Sequence, residues 1–155
     1  MSRVRVLIAD DHPEMLSALV TAVEADARFV VAATATCGEQ ATRLAAELPL
    51  DLVLIDVRMP GGGPATAMAI ARLPRAPVVV AISAEIGVNT VAAMVAAGAV
   101  GFLAKGRIGE TLPELLARCA HGEVVLATPT GAAALRAVLG SGRVELPEAV
   151  GGAAV

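Results

Sequence analysis

The 155-residue chain contains no tryptophan, no tyrosine and only two phenylalanines, so intrinsic fluorescence cannot report on its folding or binding. Cysteine is equally scarce. Cys37 and Cys119 lie far apart with no metal-ligand spacing, which excludes a thiolate metal centre and reads as two reduced, inert core thiols. There is no excess of positive charge. Twelve Lys and Arg against fifteen Asp and Glu leave a formal charge of −3, which gives no general attraction to nucleic acid or to an anionic membrane. DNA binding by this chain alone is therefore not expected. Asp10 and Asp11 arrive before any apolar stretch of signal-peptide length, so a secretory signature is missing and a cytoplasmic location is expected. Residues 86–104 carry no charge, but Asn89, Gly98 and Gly101 interrupt them, and the pattern changes from helix-like to strand-like. This reads as helix, turn and buried strand, with no membrane span.

What the chain has in quantity is Val, Ile, Leu and Ala, in a regular alternation. Short apolar runs at 4–9, 29–33, 52–55, 78–82 and 101–104 are too continuous to have a wet face, as expected of parallel strands covered on both sides. Between them lie helical patterns. Pro13 suits a first helical turn, and Met15, Leu16, Leu19, Val20 and Val23 follow at helical spacing. Comparable stretches cover 39–48, 65–73, 88–97 and 109–120, the last with Leu112, Leu115, Leu116 and Cys119 on one face. The order (βα)5 predicts a doubly wound α/β fold around a five-stranded parallel sheet, with functional groups just beyond the carboxyl ends of the strands. Beyond 122, residues 123–127 read as a short extended piece and 132–139 as a small helix ended by Gly140 and Gly142. The rest, with Pro147, Gly151 and Gly152, reads as a frayed tail. We therefore divide the chain into a domain at 1–122 and a linker helix with flexible tail at 123–155.

Four strand ends meet at one edge in this plan. Asp10 and Asp11 close the first strand, Asp56 the third, Ser83 the fourth and Lys105 the fifth. Singly, each has an ordinary explanation as a helix cap or turn residue. Together they are a site. The lysine adds weight, since the chain has eleven arginines and this one ammonium, a compact charge able to reach a single phosphoryl oxygen between neighbours. Three clustered carboxylates need a cation among them, and a hard, oxygen-lined site suits Mg²⁺. One carboxylate is then free to attack a phosphoryl donor, while the metal and Lys105 neutralise charge on the transferring oxygens.

The segments LIADDHPEM, LVLIDVRMPG, VVVAISA and GFLAKG closely resemble the four signature regions of the bacterial two-component receiver family, over about residues 4–120. The resemblance implies a CheY-like, flavodoxin-like three-layer sandwich. It implies Asp56 as phosphoacceptor, Asp11 as a direct Mg²⁺ ligand, Asp10 as its acidic neighbour and the Arg58 carbonyl as completing the metal site. Ser83 takes the place of the switch hydroxyl, Phe102 of the switch aromatic and Lys105 of the phosphate-binding lysine. The implied switch accepts a phosphoryl group from a sensor histidine kinase and removes it again by autodephosphorylation, and it is not otherwise an enzyme. Asp-Asp-His-Pro and GEVVLATPTGAAALRAV resemble the NarL/FixJ branch, in which a LuxR-type helix-turn-helix output domain follows and homodimers are common. Here the chain stops after Val155 with no basic recognition helix, so DNA binding and transcription control are expected only through an output domain separated from this chain.

One departure is Gly61-Gly62-Gly63-Pro64, where many family members carry glycine at the position of Pro64, so the loop's shape is open. Two other classes fit worse. Haloacid-dehalogenase phosphohydrolases place Asp-x-Asp after the first strand, whereas here Asp-Asp precedes His12. The Asp-x-His-x-x-Gly of cobalamin-binding domains would need glycine where Met15 stands. His12 reads as a loop residue before Pro13. A phosphorylation-independent receiver is disfavoured by the complete set of Asp, Ser and Lys.

Overall fold

The computed structural model describes residues 2–107 and 109–141, so the expected stop at Gly142 and the tail after it lie outside the described residues. Strand and helix alternate: β1 Val4–Ala9, α1 Pro13–Glu24, β2 Phe29–Ala35, α2 Gly38–Glu47, β3 Leu52–Asp56, α3 Pro64–Ala71, β4 Val78–Ser83, α4 Val88–Ala96 and β5 Gly101–Ala104. A 3₁₀ turn at Lys105–Arg107 leads to α5 Leu112–Ala120, β6 Val125–Ala127 and α6 Gly131–Gly140. Every strand pairing is parallel, in the order β2-β1-β3-β4-β5-β6. The expected doubly wound architecture is therefore present. The strand count is corrected from five to six, because the extended piece after α5 joins the open edge of β5 through Gly101↔Val125, Phe102↔Leu126 and Leu103↔Ala127. Three residues are too few to display a period in the sequence, and only the vacant edge of β5 makes them a strand.

Side-chain alternation divides each strand between two cores. Leu7, Ala9, Val53, Ile55, Val79, Ala81 and Phe102 face α2, α3, α4 and α6, where they meet Ala41, Ile70, Val91, Met94 and Ala134. Their neighbours Val6, Ile8, Leu52, Leu54, Val80, Ile82 and Leu103 face α1 and α5, where they meet Leu19, Val23, Leu112, Leu116 and Cys119. Each such Leu or Ile contributes about 1.5–3 kcal/mol on burial, and this sandwiching drives the strands together. Among the described residues no helix is long and apolar enough to cross a membrane.

Two local features bear on the site. The β1–β2 register slips between Val6 and Leu7, with Ala32 as the additional residue of a bulge in β2. Pro64 opens α3, where a residue without an N–H is tolerated because that group would have no helical partner. Before it, Gly62 lies against β3: a Cβ there would come 2.2 Å from the Asp56 carbonyl oxygen, so only glycine lets the loop fold this closely over the strand end.

Candidate functional site

The sheet order reverses between β1 and β3, and the crevice beyond their carboxyl ends receives side chains from four strand termini. Asp10 follows β1 directly and is fully buried. Its Oδ1 accepts the His12 backbone N–H at 2.9 Å and lies 3.3 Å from His12 Nδ1. Asp56, the last residue of β3, is also fully buried, and its Oδ1 accepts the Arg58 backbone N–H at 3.2 Å. The Lys105 Nζ sits between these two, 2.9 Å from Asp10 Oδ2 and 3.0 Å from Asp56 Oδ2. Burial pulls the Lys105 pKa down, but the close carboxylates of Asp10 and Asp56 outweigh it, and the ammonium is held above its ordinary value. Asp11 is less enclosed, with Oδ1 3.1 Å from His12 Nδ1.

One ammonium does not balance three carboxylates. Asp10 Oδ2, Asp11 Oδ1 and Asp56 Oδ2 are each buried without a hydrogen bond of proper geometry, a costly arrangement that a further cation would relieve. Ligand atoms of Asp10, Asp11, His12 and Asp56 all lie within 4.8 Å of one another, so a single ion can reach the group. Oxygen donors of this kind suit a hard divalent cation.

Ser83 and Phe102 occupy neighbouring strands behind the crevice. Ser83 ends β4, is fully buried, and its Oγ accepts the Glu85 backbone N–H at 3.0 Å. A hydroxyl that accepts this bond keeps its own proton to donate. Phe102 pairs in register with Ala81 and is fully buried in the core that includes Val91, Met94 and Ala134. The six side chains singled out in the sequence thus fall into two groups. Asp10, Asp11, Asp56 and Lys105 form one cluster, while Ser83 and Phe102 lie along β4 and β5.

Two participants were not legible in the sequence. His12 reads there as a loop residue, yet its ring contacts both Asp10 and Asp11; the signal available was its placement directly after the pair. Glu85 carried no signal. Its carboxylate forms an ion pair with the Arg58 guanidinium, joining the β3–α3 and β4–α4 loops across the crevice. Arg58 therefore contributes a side chain as well as the carbonyl considered in the sequence.

The comparisons with known proteins agree with this geometry. A family model for the response regulator receiver domain matches residues 6–119. The chain is 33% identical over 136 residues to the nitrate/nitrite response regulator protein NarL of Escherichia coli, covering 85% of this chain and 63% of that protein. A homolog of the same regulator from Haemophilus influenzae is 30% identical over 125 residues, covering 80% of this chain and 60% of that protein. The chain thus spans less than two thirds of the length of these relatives. Among solved structures, the signal receiver domain of a response regulator NarL from Mycobacterium tuberculosis is 34% identical, with a TM-score of 0.72 over 79% of this chain and 100% of that one. On its fold, its signature segments and these matches, the chain belongs to the response regulator receiver domain family, in the NarL/LuxR group of two-component regulators.

Proposed function

We propose that this receiver accepts a phosphoryl group on Asp56 in a Mg²⁺-dependent reaction, and that the acylphosphate switches the surface around β4, α4 and β5. The observation that carries the reading is the cluster of three carboxylates within reach of one ion, two of them, Asp10 and Asp56, fully buried and sharing Lys105. Receiver domains typically bind Mg²⁺ at an acidic pocket, and the donor set here fits one. Asp10, Asp11, Asp56 and the Arg58 backbone carbonyl would hold it. Bound there, Mg²⁺ supplies positive charge to the carboxylates and to the oxygens of the transferring phosphoryl group.

The remaining work falls to the side chains. An Asp56 carboxylate oxygen attacks phosphorus, and the bond from phosphorus to the donor's leaving nitrogen or oxygen breaks with its electron pair staying on the leaving group. Lys105 already lies 3.0 Å from Asp56 Oδ2 and neutralises charge on a phosphoryl oxygen. The Ser83 hydroxyl donates to a second oxygen, drawing the β4–α4 loop inward, while Phe102 holds the buried position that the switched state requires. Phosphorylation acts through the difference between its contacts in two states of the same fold. Water attacking phosphorus breaks its bond to the Asp56 oxygen, which keeps the electron pair, so that inorganic phosphate leaves and the free carboxylate is restored.

As a receiver the chain is a signalling switch and not an enzyme in the ordinary sense. Its partners on this reading are a sensor histidine kinase in the cytoplasm, a second copy of the receiver in a homodimer, and DNA through an output domain separate from residues 1–122. The helix and tail at 123–155 act as the linker to that domain.

The test is intact mass after incubation with acetyl phosphate and Mg²⁺. One phosphate adduct is expected on the wild type and none on Asp56→Asn or in the presence of chelator. An adduct that persists on Asp56→Asn would overturn the assignment.

A further inference from the structure

The β4–α4 loop is tied to more than the phosphoacceptor crevice. Two residues beyond Ser83, Glu85 donates its N–H to the Ser83 hydroxyl and pairs with Arg58. The next residue, Ile86, offers its carbonyl to Thr130 Oγ1, on the residue just before α6 and 44 positions away in sequence. Thr130 is braced in turn, with its Oγ1 3.1 Å from Thr128 Oγ1. The start of α6 is fitted closely to the sheet: a Cβ on Gly131 would lie 2.8 Å from the Leu126 carbonyl oxygen and 2.9 Å from the Leu126 Cβ.

Past this anchored end, α6 runs along α4 and buries Ala134 and Val138, with Ala134 in the same core cluster as Phe102 and Ile86 beside it. The seam beyond is lined by small side chains, Ala92, Ala93, Ala96 and Ala137, and leaves a groove of about 320 Å³. Small side chains let α6 pack closely along α4, and the Thr130 hydrogen bond fixes the end of the helix nearest the β4–α4 loop. Leu135 and Leu139 stand outward on it, 37% and 57% exposed.

We propose that Thr130 is the positioning residue through which the state of Asp56 reaches α6. When the Ser83 hydroxyl turns to a phosphoryl oxygen, the backbone at Glu85 and Ile86 shifts and the Ile86 carbonyl leaves Thr130. The helix that continues the chain toward its C-terminus is loosened at its first turn, so the signal leaves along the covalent chain as well as across the α4 surface. This coupling rests on the reading of Asp56 as phosphoacceptor.

Hydrogen exchange of the α6 amides in the full chain, with the adduct confirmed by intact mass, tests it. Loss of one hydrogen bond worth about 1 kcal/mol corresponds to roughly fivefold faster exchange. We expect about that rise in α6, and none in α1, when the wild type is phosphorylated with acetyl phosphate and Mg²⁺. Thr130→Val should show the same rise without phosphate and less than about a twofold further change with it. Thr130→Ser, which keeps the hydroxyl, should behave as wild type, and it preserves the test where the valine variant folds poorly. Unchanged α6 exchange on a confirmed adduct overturns the coupling alone. Absence of any adduct overturns the phosphoacceptor reading and the coupling with it.

Discussion

The two ends of the β-sheet treat polar groups in opposite ways. At the amino end, Asp51 accepts the Arg5 backbone N–H at 2.8 Å, and Arg5 Nε donates to the Pro49 carbonyl at 2.7 Å, both in exposed surroundings. These groups have partners and water, and they tie β1 to the segment leading into β3. At the carboxyl end, Asp10 and Asp56 are fully buried, and their Oδ2 oxygens lack proper hydrogen bonds although Lys105 stands nearby. The first arrangement serves stability. The second stores an electrostatic cost that binding a cation and a phosphoryl group would relieve, the usual price of a functional site.

Substitutions at the two ends should therefore have opposite signs. Asp56→Asn removes one of three crowded charges, and in chelator we expect it to raise unfolding stability by about 1–2 kcal/mol. Urea unfolding followed by far-ultraviolet circular dichroism measures this, and added Mg²⁺ should narrow the gap by stabilising the wild type more than the variant. A loss of stability in Asp56→Asn would mean that the Lys105 pair outweighs the crowding and would break the comparison. At the other end, Asp51→Ala should cost about 1 kcal/mol, with or without Mg²⁺, since it removes an exposed hydrogen bond far from the crevice.

A third group, buried at neither end, sharpens the contrast by acting only in alkali. Cys119 on α5 is fully buried, and its thiol is pushed up to about 11 by that burial. The unfolded chain releases this proton near 9.0 while the folded chain retains it, so stability is unaffected below that pH and falls as pH rises from about 9 to about 11. In Cys119→Ala that part of the alkaline loss should disappear. At neutral pH, Cys119 should alkylate more slowly than Cys37, which is only partly buried.

The strands buried on both faces were legible because continuous Val, Ile and Leu runs have few other uses, and their ends predicted the cluster of Asp10, Asp11, Asp56 and Lys105. Helix starts were harder to read. The pattern beginning at residue 109 becomes regular α-helix only at Leu112, and the one expected from 65 begins at Pro64. The extended piece at 123–127 was legible, but its place in the sheet was not, and the roles of Glu85 and Thr130 escaped because each likewise depends on a partner brought close by the fold. No local pattern links Thr130 to Ile86 or Glu85 to Arg58. Chemistry concentrated at strand ends was readable; wiring between loops was not.

The sheet's borders carry a consequence for how the protein keeps company with itself at high concentration. One border is β6, which exposes only three residues' worth of backbone, and the other is β2, whose regular pleat is broken by the bulge at Ala32. A foreign strand seeking to extend the sheet finds a ledge too brief on one side and a crooked one on the other. Self-association through continued β-pairing is thereby discouraged, and encounters between copies are left to the helical faces.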